Sequence, residues 1–250
     1  MSTFWVRFVI QFYNFQSILN VKLKNGKVVV SNWITSGNIV KLFIIWFLLP
    51  TVNSFTQTEI ANGGFKSIFA NVAIIISGTL SYSSYTLFCL IQVFKRRKTA
   101  GLLNRILSAT MKEKTSNRLK INCIRQSLGS YFMITSLLIL QYLTHVKVSL
   151  YSLFMVAIMN QATYNNFAFG SFAKNFECFI VALMEDFCED LQDYSFRRHE
   201  IFFKRFNEMY ELIEEFQICF GLQMTIFVCV FLLHSIFSVS IAIIEANSID

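Results

Sequence analysis

The 250-residue chain is 54% hydrophobic and 15% charged, with 28 Phe, 9 Tyr, 3 Trp, 9 Gly and a single Pro. Its mean hydropathy of +0.51 exceeds what a water-facing surface tolerates, which excludes disorder and argues against an all-β sandwich. The expected class is an all-α integral membrane protein, a helical bundle in lipid, because backbone groups in hydrocarbon must be satisfied within helices.

The first apolar run, Phe4 to Phe15, is interrupted by Arg7 and followed by no small-residue cleavage site. It reads as a segment lying along the membrane surface, not as a cleaved signal. Val21 to Val30 alternates around Asn25-Gly26, the dipeptide that supplies two left-handed residues to a tight turn. A small cytoplasmic hairpin is expected, the alternative being an unstructured basic arm.

A hydrocarbon core of roughly 30 Å needs about 20 apolar residues at helical rise, and the chain provides that length about five times. The spans run at about 33–55, with Lys41 as an intrusion, then 67–94, 127–144, 149–172 and 218–244. The second ends abruptly at Lys95-Arg96-Arg97-Lys98. The short His145–Lys147 turn makes the third and fourth antiparallel neighbours.

Positive charge orients the set, since Lys and Arg are retained in cytoplasmic loops. Arg7, Lys22, Lys24 and Lys27 precede the first span, ten basic residues from Lys95 to Arg125 separate the second from the third, and five from Lys174 to Arg205 follow the fourth. The opposite loops hold only Lys66 and Lys147. The amino terminus is therefore expected inside and the carboxyl end outside, a topology inverted relative to rhodopsin-like receptors. The net charge of +7 thus encodes orientation, and no nucleic-acid partner is expected. The Lys95–Arg125 loop is either a grip on anionic lipid or a topogenic signal alone. Thr99, behind four basic residues, matches a basophilic kinase site by pattern.

Residues of about 173–217 form the expected cytoplasmic helical region. Val181, Met184, Cys188 and Leu191 step by three and four, and the pattern resumes as Phe202, Phe206, Met209, Ile213 and Phe216. Each set shares one helix face, and such stripes must be covered, either within the chain or by a neighbouring subunit. The carboxylates Glu185, Asp186, Glu189, Asp190 and Asp193 read as a solvated face.

Catalytic signatures are absent: no Gly-x-Ser-x-Gly elbow, phosphate loop or His-Glu-x-x-His helix occurs, so an enzyme is not expected. The six cysteines and three histidines lack metal spacing, and neither metal nor cofactor is expected. Polar residues inside spans are more informative, since lipid-facing polar groups are costly. In the orientation above, Gln141, Tyr142, Tyr151, Asn160, Gln161 and His234 lie from the midplane outward, where a small ligand arriving from outside would meet them. The plainer reading is interhelical hydrogen bonding that holds the bundle.

Several stretches, in order, resemble insect gustatory receptors: Lys24-Asn-Gly-Lys-Val28 before the first span, Phe94-Lys-Arg-Arg-Lys98 at the exit from the second, and Met209-Tyr-Glu-Leu-Ile213 into Phe220-Gly-Leu-Gln223 at the entry to the fifth. The resemblance implies a multi-pass plasma-membrane chemoreceptor of sensory neurons, with a small-molecule tastant as ligand and a homo- or hetero-oligomer of receptor subunits forming a ligand-gated cation channel. Receptors of that family have seven spans. No counterpart of the last two, with the pore-lining helix, precedes Asp250, so the expectation is a subunit that does not conduct by itself. Odorant receptors share the topology and are an alternative, as are a truncated product and an unrelated membrane scaffold or transporter. A carrier would be expected to show an inverted repeat or helices broken by Gly and Pro, whereas this chain has only Pro50.

Overall fold

The computed structural model describes residues 3–63, 68–109, 150–192 and 199–247, together with separate positions between 117 and 139. Among the described residues the chain is all-α apart from one hairpin. In order come α1 (Thr3–Phe15), β1 (Val21–Lys24), β2 (Lys27–Val30), α2 (Asn32–Gly63), α3 (Ile68–Ser108), α4 (Leu150–Gln192) and α5 (His199–Asn247). Three of the described helices carry stretches long and apolar enough to cross a membrane: Asn32–Thr51, Tyr164–Glu189 and Phe203–Ile244. Most of the span expected at 127–144 lies outside the described residues.

The hairpin forms where Asn25-Gly26 announces it. Asn25 and Gly26 take φ of 50° and 76°, the left-handed pair a type I′ turn requires. The register is Val21↔Val30, Lys22↔Val29, Leu23↔Val28 and Lys24↔Lys27. Two strands of four residues would not hold in water alone, and here two asparagine amides clamp the outer edges. Asn14 Nδ2 donates to the Val21 carbonyl at 2.6 Å while the Val21 N–H donates back to Asn14 Oδ1 at 3.3 Å. On the other edge Asn104 Nδ2 donates to the Val28 carbonyl and the Val28 N–H donates to Asn104 Oδ1, both at 2.7 Å. Each side-chain amide replaces one residue of a missing third strand, tying the hairpin to α1 on one side and to α3 on the other.

The first helix, expected along the membrane surface, packs one face into the core. Ile10, Tyr13 and Asn14 are buried while Arg7, Gln11 and Phe15 stay exposed. The reason lies in Tyr13, whose hydroxyl must find partners once buried. It accepts from Asn175 Nδ2 at 2.6 Å and lies 3.3 Å from Ser171 Oγ, both on α4.

Helices α3 and α5 run antiparallel over most of their length. Ser81 meets His234, Gln92 meets Gln223, Lys95 meets the carbonyl of Ile218, and Arg105 meets Glu211. A seam of phenylalanines joins α4 to α5. Phe169, Phe172 and Phe176 step by three and four, one face of a helix. Phe172 lies 4.8 Å from Phe220, and Phe176 stacks on Phe216 at 3.8 Å with the rings within 10° of parallel. Above them Gly170 lets Phe227 approach so closely that an added Cβ would sit 3.3 Å from its ring.

The apolar stripes expected on the helical region are only partly the packing faces. Val181, Met184 and Cys188 are exposed, and the α4 face that packs instead carries Phe172, Phe179 and Ile180. On α5, Met209 is buried and Phe216 lies in the seam, but Phe206 and Ile213 are exposed; the side chains of Leu191 and Phe202 lie outside what is described. The ring seam wins because stacked phenylalanines remove more apolar area than the thinner stripe. Asp186, read as part of a solvated face, is buried. Thr99 is fully buried and donates to Gln92 Oε1 at 3.2 Å, so burial removes it from reach of a kinase.

The polarity of the whole is inverted relative to a water-soluble bundle. Phe47, Leu90, Phe231, Leu232, Ile236 and Val239 point outward, while Asn38, Gln92, Asn165 and Gln223 are inside. An outer wall of that composition would be a severe liability in water and is neutral against lipid tails.

Candidate functional site: a polar junction inside the bundle

The segment Gln16–Asn20 between α1 and β1 is buried at every position. It is a loop thrust into the bundle, and Ser17 holds a positive φ of 61°, strained for a serine. Its polar groups are met from three helices. From α2, Asn38 Oδ1 accepts from Ser17 Oγ at 3.0 Å, and Asn38 Nδ2 donates to Asn20 Oδ1 at 2.8 Å and to the Leu19 carbonyl at 3.4 Å. From α3, the Tyr85 hydroxyl lies 3.2 Å from Ser17 Oγ. From α4, Asn165 Nδ2 donates to the Gln16 carbonyl and Gln161 Nε2 to Gln16 Oε1 at 3.5 Å. Lys41 reaches the same place: its Nζ donates to the Phe15 carbonyl at 2.9 Å and lies 5.1 Å from the Phe15 ring and 6.0 Å from the Tyr85 ring. A cation in an apolar helix is held by a carbonyl and two aromatic faces.

Among the described residues, four buried amide atoms near this region have no hydrogen-bond partner: Asn20 Nδ2, Asn165 Oδ1, Asn166 Oδ1 and Asn175 Oδ1. Three are carbonyl oxygens on one stretch of α4. Each offers an acceptor to an N–H or O–H donor, water included, and Asn175 stands about 15 Å along the helix from Asn165.

Two further polar layers stand apart from the junction. Gln92 Nε2 donates to Gln223 Oε1 at 2.8 Å, and Gln223 Nε2 to the Phe88 carbonyl at 3.3 Å, with both glutamines fully buried. Higher on the same helix pair, the His234 ring is held at both nitrogens, Nδ1 by Ser77 Oγ at 2.5 Å and Nε2 by Ser81 Oγ at 2.7 Å. At the opposite end, Arg105 forks between Glu215 at 2.6 Å and Glu211 at 2.8 Å. Those bonds, from Glu215 first and Glu211 second, hold its guanidinium above its ordinary pKa.

Of the residues expected to meet a ligand, Gln161 lies at the junction, and His234 lies on a separate layer with its ring nitrogens engaged by Ser77 and Ser81. No hydrogen bond joins these two. Tyr151 and Asn160 fall on α4 with only their backbone described, and Gln141 and Tyr142 lie outside the described residues. Sequence reasoning missed Ser17 and Asn38, for which the signal was Lys41, a charge in a span with no local partner; Asn165 was legible as a polar residue inside an apolar helix but was not among the residues expected to meet a ligand. Among the described residues no cluster of His, Cys, Asp and Glu has the makings of a metal site, and all six cysteines are free. No family model, no curated protein and no solved structure matches the chain.

Proposed function

We propose that the chain is a subunit of a gustatory chemoreceptor of the insect ligand-gated channel type, multi-pass in the plasma membrane, with about five spans and its amino terminus inside. The observation that supports this reading is that stretches resembling that family contribute to one apolar core, a joint holding Val28 from the hairpin and Leu212 and Phe220 from α5. Lys24–Val28 forms the turn and strand that Asn104 grips. Phe94–Lys98 leads α3 toward that grip, and Lys95 Nζ donates to the Ile218 carbonyl at 2.6 Å. Met209, Leu212, Phe220 and Gln223, from the last two stretches, are buried on α5. In this reading the joint is cytoplasmic, the exposed Phe206 and Ile213 contact neighbouring subunits, and the polar interior of α3 to α5 takes the tastant. The carbonyl oxygens of Asn165 and Asn166 and the amide of Gln161 suit a ligand rich in hydroxyl groups.

The test is co-expression with a complete seven-span relative, recording currents evoked by a panel of sugars, polyols and bitter compounds. The chain is expected to alter the dose-response of the channel, and Gln161→Ala or Asn165→Ala to shift that response at unchanged surface level. Currents identical with and without the chain, across several partners that reach the surface, would refute the reading.

A further inference from the structure

The hairpin has two faces. Val21, Leu23, Val28 and Val30 turn inward, with Val21 and Val28 buried, whereas Lys22, Lys24 and Lys27 are exposed and share the other face, as alternation on paired strands requires. The sequence gives these lysines no local counter-charge, since the first carboxylate in the chain is Glu59. Among the described residues, none of the three has an ion pair, and neither do Arg97 and Lys98, both exposed on α3. The Asn104 clamp fixes the hairpin beside α3 six residues beyond Lys98, about 9 Å of helix. So the lysine face and the basic run belong to one end of the bundle.

Two aromatic residues mark where that end meets the bilayer. Trp33, at the start of α2 and three residues after β2, is 88% exposed, and Phe94, just before Lys95, is 84% exposed. The amphipathic indole of Trp33, standing free at the start of an apolar helix, suits the interfacial layer, and Phe94 is the last apolar residue before the basic run. From Val29, paired with Lys22, the chain needs about 10 Å to reach Asn32 at strand rise. That is comparable to the thickness of the headgroup layer and to the roughly 8 Å screening length of physiological salt.

We infer that the hairpin is a lipid-sensing element: Lys22, Lys24 and Lys27, with Arg97 and Lys98, form a cationic surface that docks on acidic lipid headgroups of the adjacent leaflet. Charge complementarity selects the occupant, because the surface is unpaired, wholly cationic and framed by interfacial aromatics, with apolar helices that set it at the membrane. The inference rests on the three apolar helices and not on the tastant reading, so each can fail without the other.

The experiment uses the full chain in neutral detergent micelles and titrates phosphatidylserine, phosphatidylcholine and, as a soluble anion, inositol hexakisphosphate. Wild type should bind phosphatidylserine in preference to phosphatidylcholine, weakening as salt rises. Each neutralised lysine should lower that affinity about fivefold, and Lys22→Gln/Lys24→Gln/Lys27→Gln about a hundredfold, the scale of one basic residue near an anionic surface. The triple arginine variant should retain binding, and Lys174→Gln, at a lysine paired with Glu177, should leave it unchanged. Should the triple glutamine variant misfold, Arg97→Gln/Lys98→Gln carries the same expectation on α3. Equal affinity for the two lipids, an unchanged affinity in both glutamine variants, or displacement of the lipid by stoichiometric inositol hexakisphosphate would overturn the proposal, the last in favour of a soluble polyanion.

Discussion

Replacing Asn104 with leucine keeps the volume of the side chain and removes both amide groups, a direct test of what holds the hairpin. Val28 is 2% exposed, and its N–H and carbonyl each lose a partner at 2.7 Å. A net hydrogen bond contributes about 1 kcal/mol, and a stranded buried backbone group costs about 1–3 kcal/mol. Partial access to solvent at the hairpin edge lowers the total to about 2 kcal/mol. Opening of the hairpin should then be about 30-fold more frequent, read as faster amide hydrogen exchange in peptides covering residues 21–30. Asn104→Asp tests direction as well as size. Ionised, its carboxylate still accepts from the Val28 N–H but opposes the Val28 carbonyl; protonated, it reproduces the amide pattern. The folded state therefore favours the proton and raises the carboxyl pKa above its unfolded value of about 3.9. Stability is accordingly complete below about pH 4 and is lost as pH rises through the raised folded value. Unchanged exchange in Asn104→Leu would show that the apolar face of Val21 and Val28 suffices, and the clamp argument would fall.

Gln223→Leu strands the Gln92 amide that donates to it at 2.8 Å and should lower bundle stability in detergent by about 1 kcal/mol; an unchanged melting temperature would make that layer dispensable. Phe216→Ala removes the ring stacked on Phe176 at 3.8 Å and should cost about 3 kcal/mol, whereas Phe206, exposed in the single chain, should tolerate alanine. If the exposed face joins subunits, Phe206→Glu lowers the oligomer on a native gel without unfolding the subunit, and an unchanged oligomer would remove that interface. Exposed Cys188 should react with maleimide at neutral pH, while Cys123, whose thiol burial pushes up to about 11, should gain reactivity about tenfold per pH unit up to that value; equal rates at pH 7.5 would contradict its burial. A tag at Met1 should label only after permeabilisation if the amino terminus is cytoplasmic, and labelling of intact cells would reverse the orientation.

The hairpin was legible because its signal is stereochemical: Asn25-Gly26 supplies two positive φ values that few other pairs adopt at so little cost. Three helices long and apolar enough to cross a membrane were legible by length and apolarity, and the continuation of α4 and α5 into the 173–217 region followed from their repeating apolar steps. The faces were not. A helix such as α4, with Phe167, Phe169, Phe172, Phe176 and Phe179, offers several apolar arcs, and periodicity alone cannot say which arc a partner covers. The stripe Val181, Met184 and Cys188 was a correct helical face and still not the packing face, because the partner helix presents Phe216 and Phe220 to another arc.

The same difficulty has a deeper cause in lipid. In water an apolar residue is drawn inward, so hydrophobic pattern locates the core; in a bilayer both sides of a helix are apolar and that pattern loses its meaning. Position is then carried by the polar residues, each of which must find a partner away from the tails. Read one at a time, Asn38, Lys41, Tyr85, Gln92, Asn165 and Gln223 look like isolated interruptions of apolar helices. Their partners explain them: Asn38 and Tyr85 meet Ser17, Asn165 meets Gln16, Lys41 meets Phe15, and Gln92 meets Gln223. Three of these six answer to the Gln16–Asn20 segment, and Lys41 to the Phe15 carbonyl that leads into it; the segment contains no span and looks from sequence like an ordinary connection. The polar residues of three different helices have a common cause in one buried loop, and only a pairing of residues distant in the chain could have exposed it. This is why Lys41, the least comfortable residue in its helix, was the best available pointer to the interior: a charge that lipid cannot solvate has to face whatever the bundle encloses.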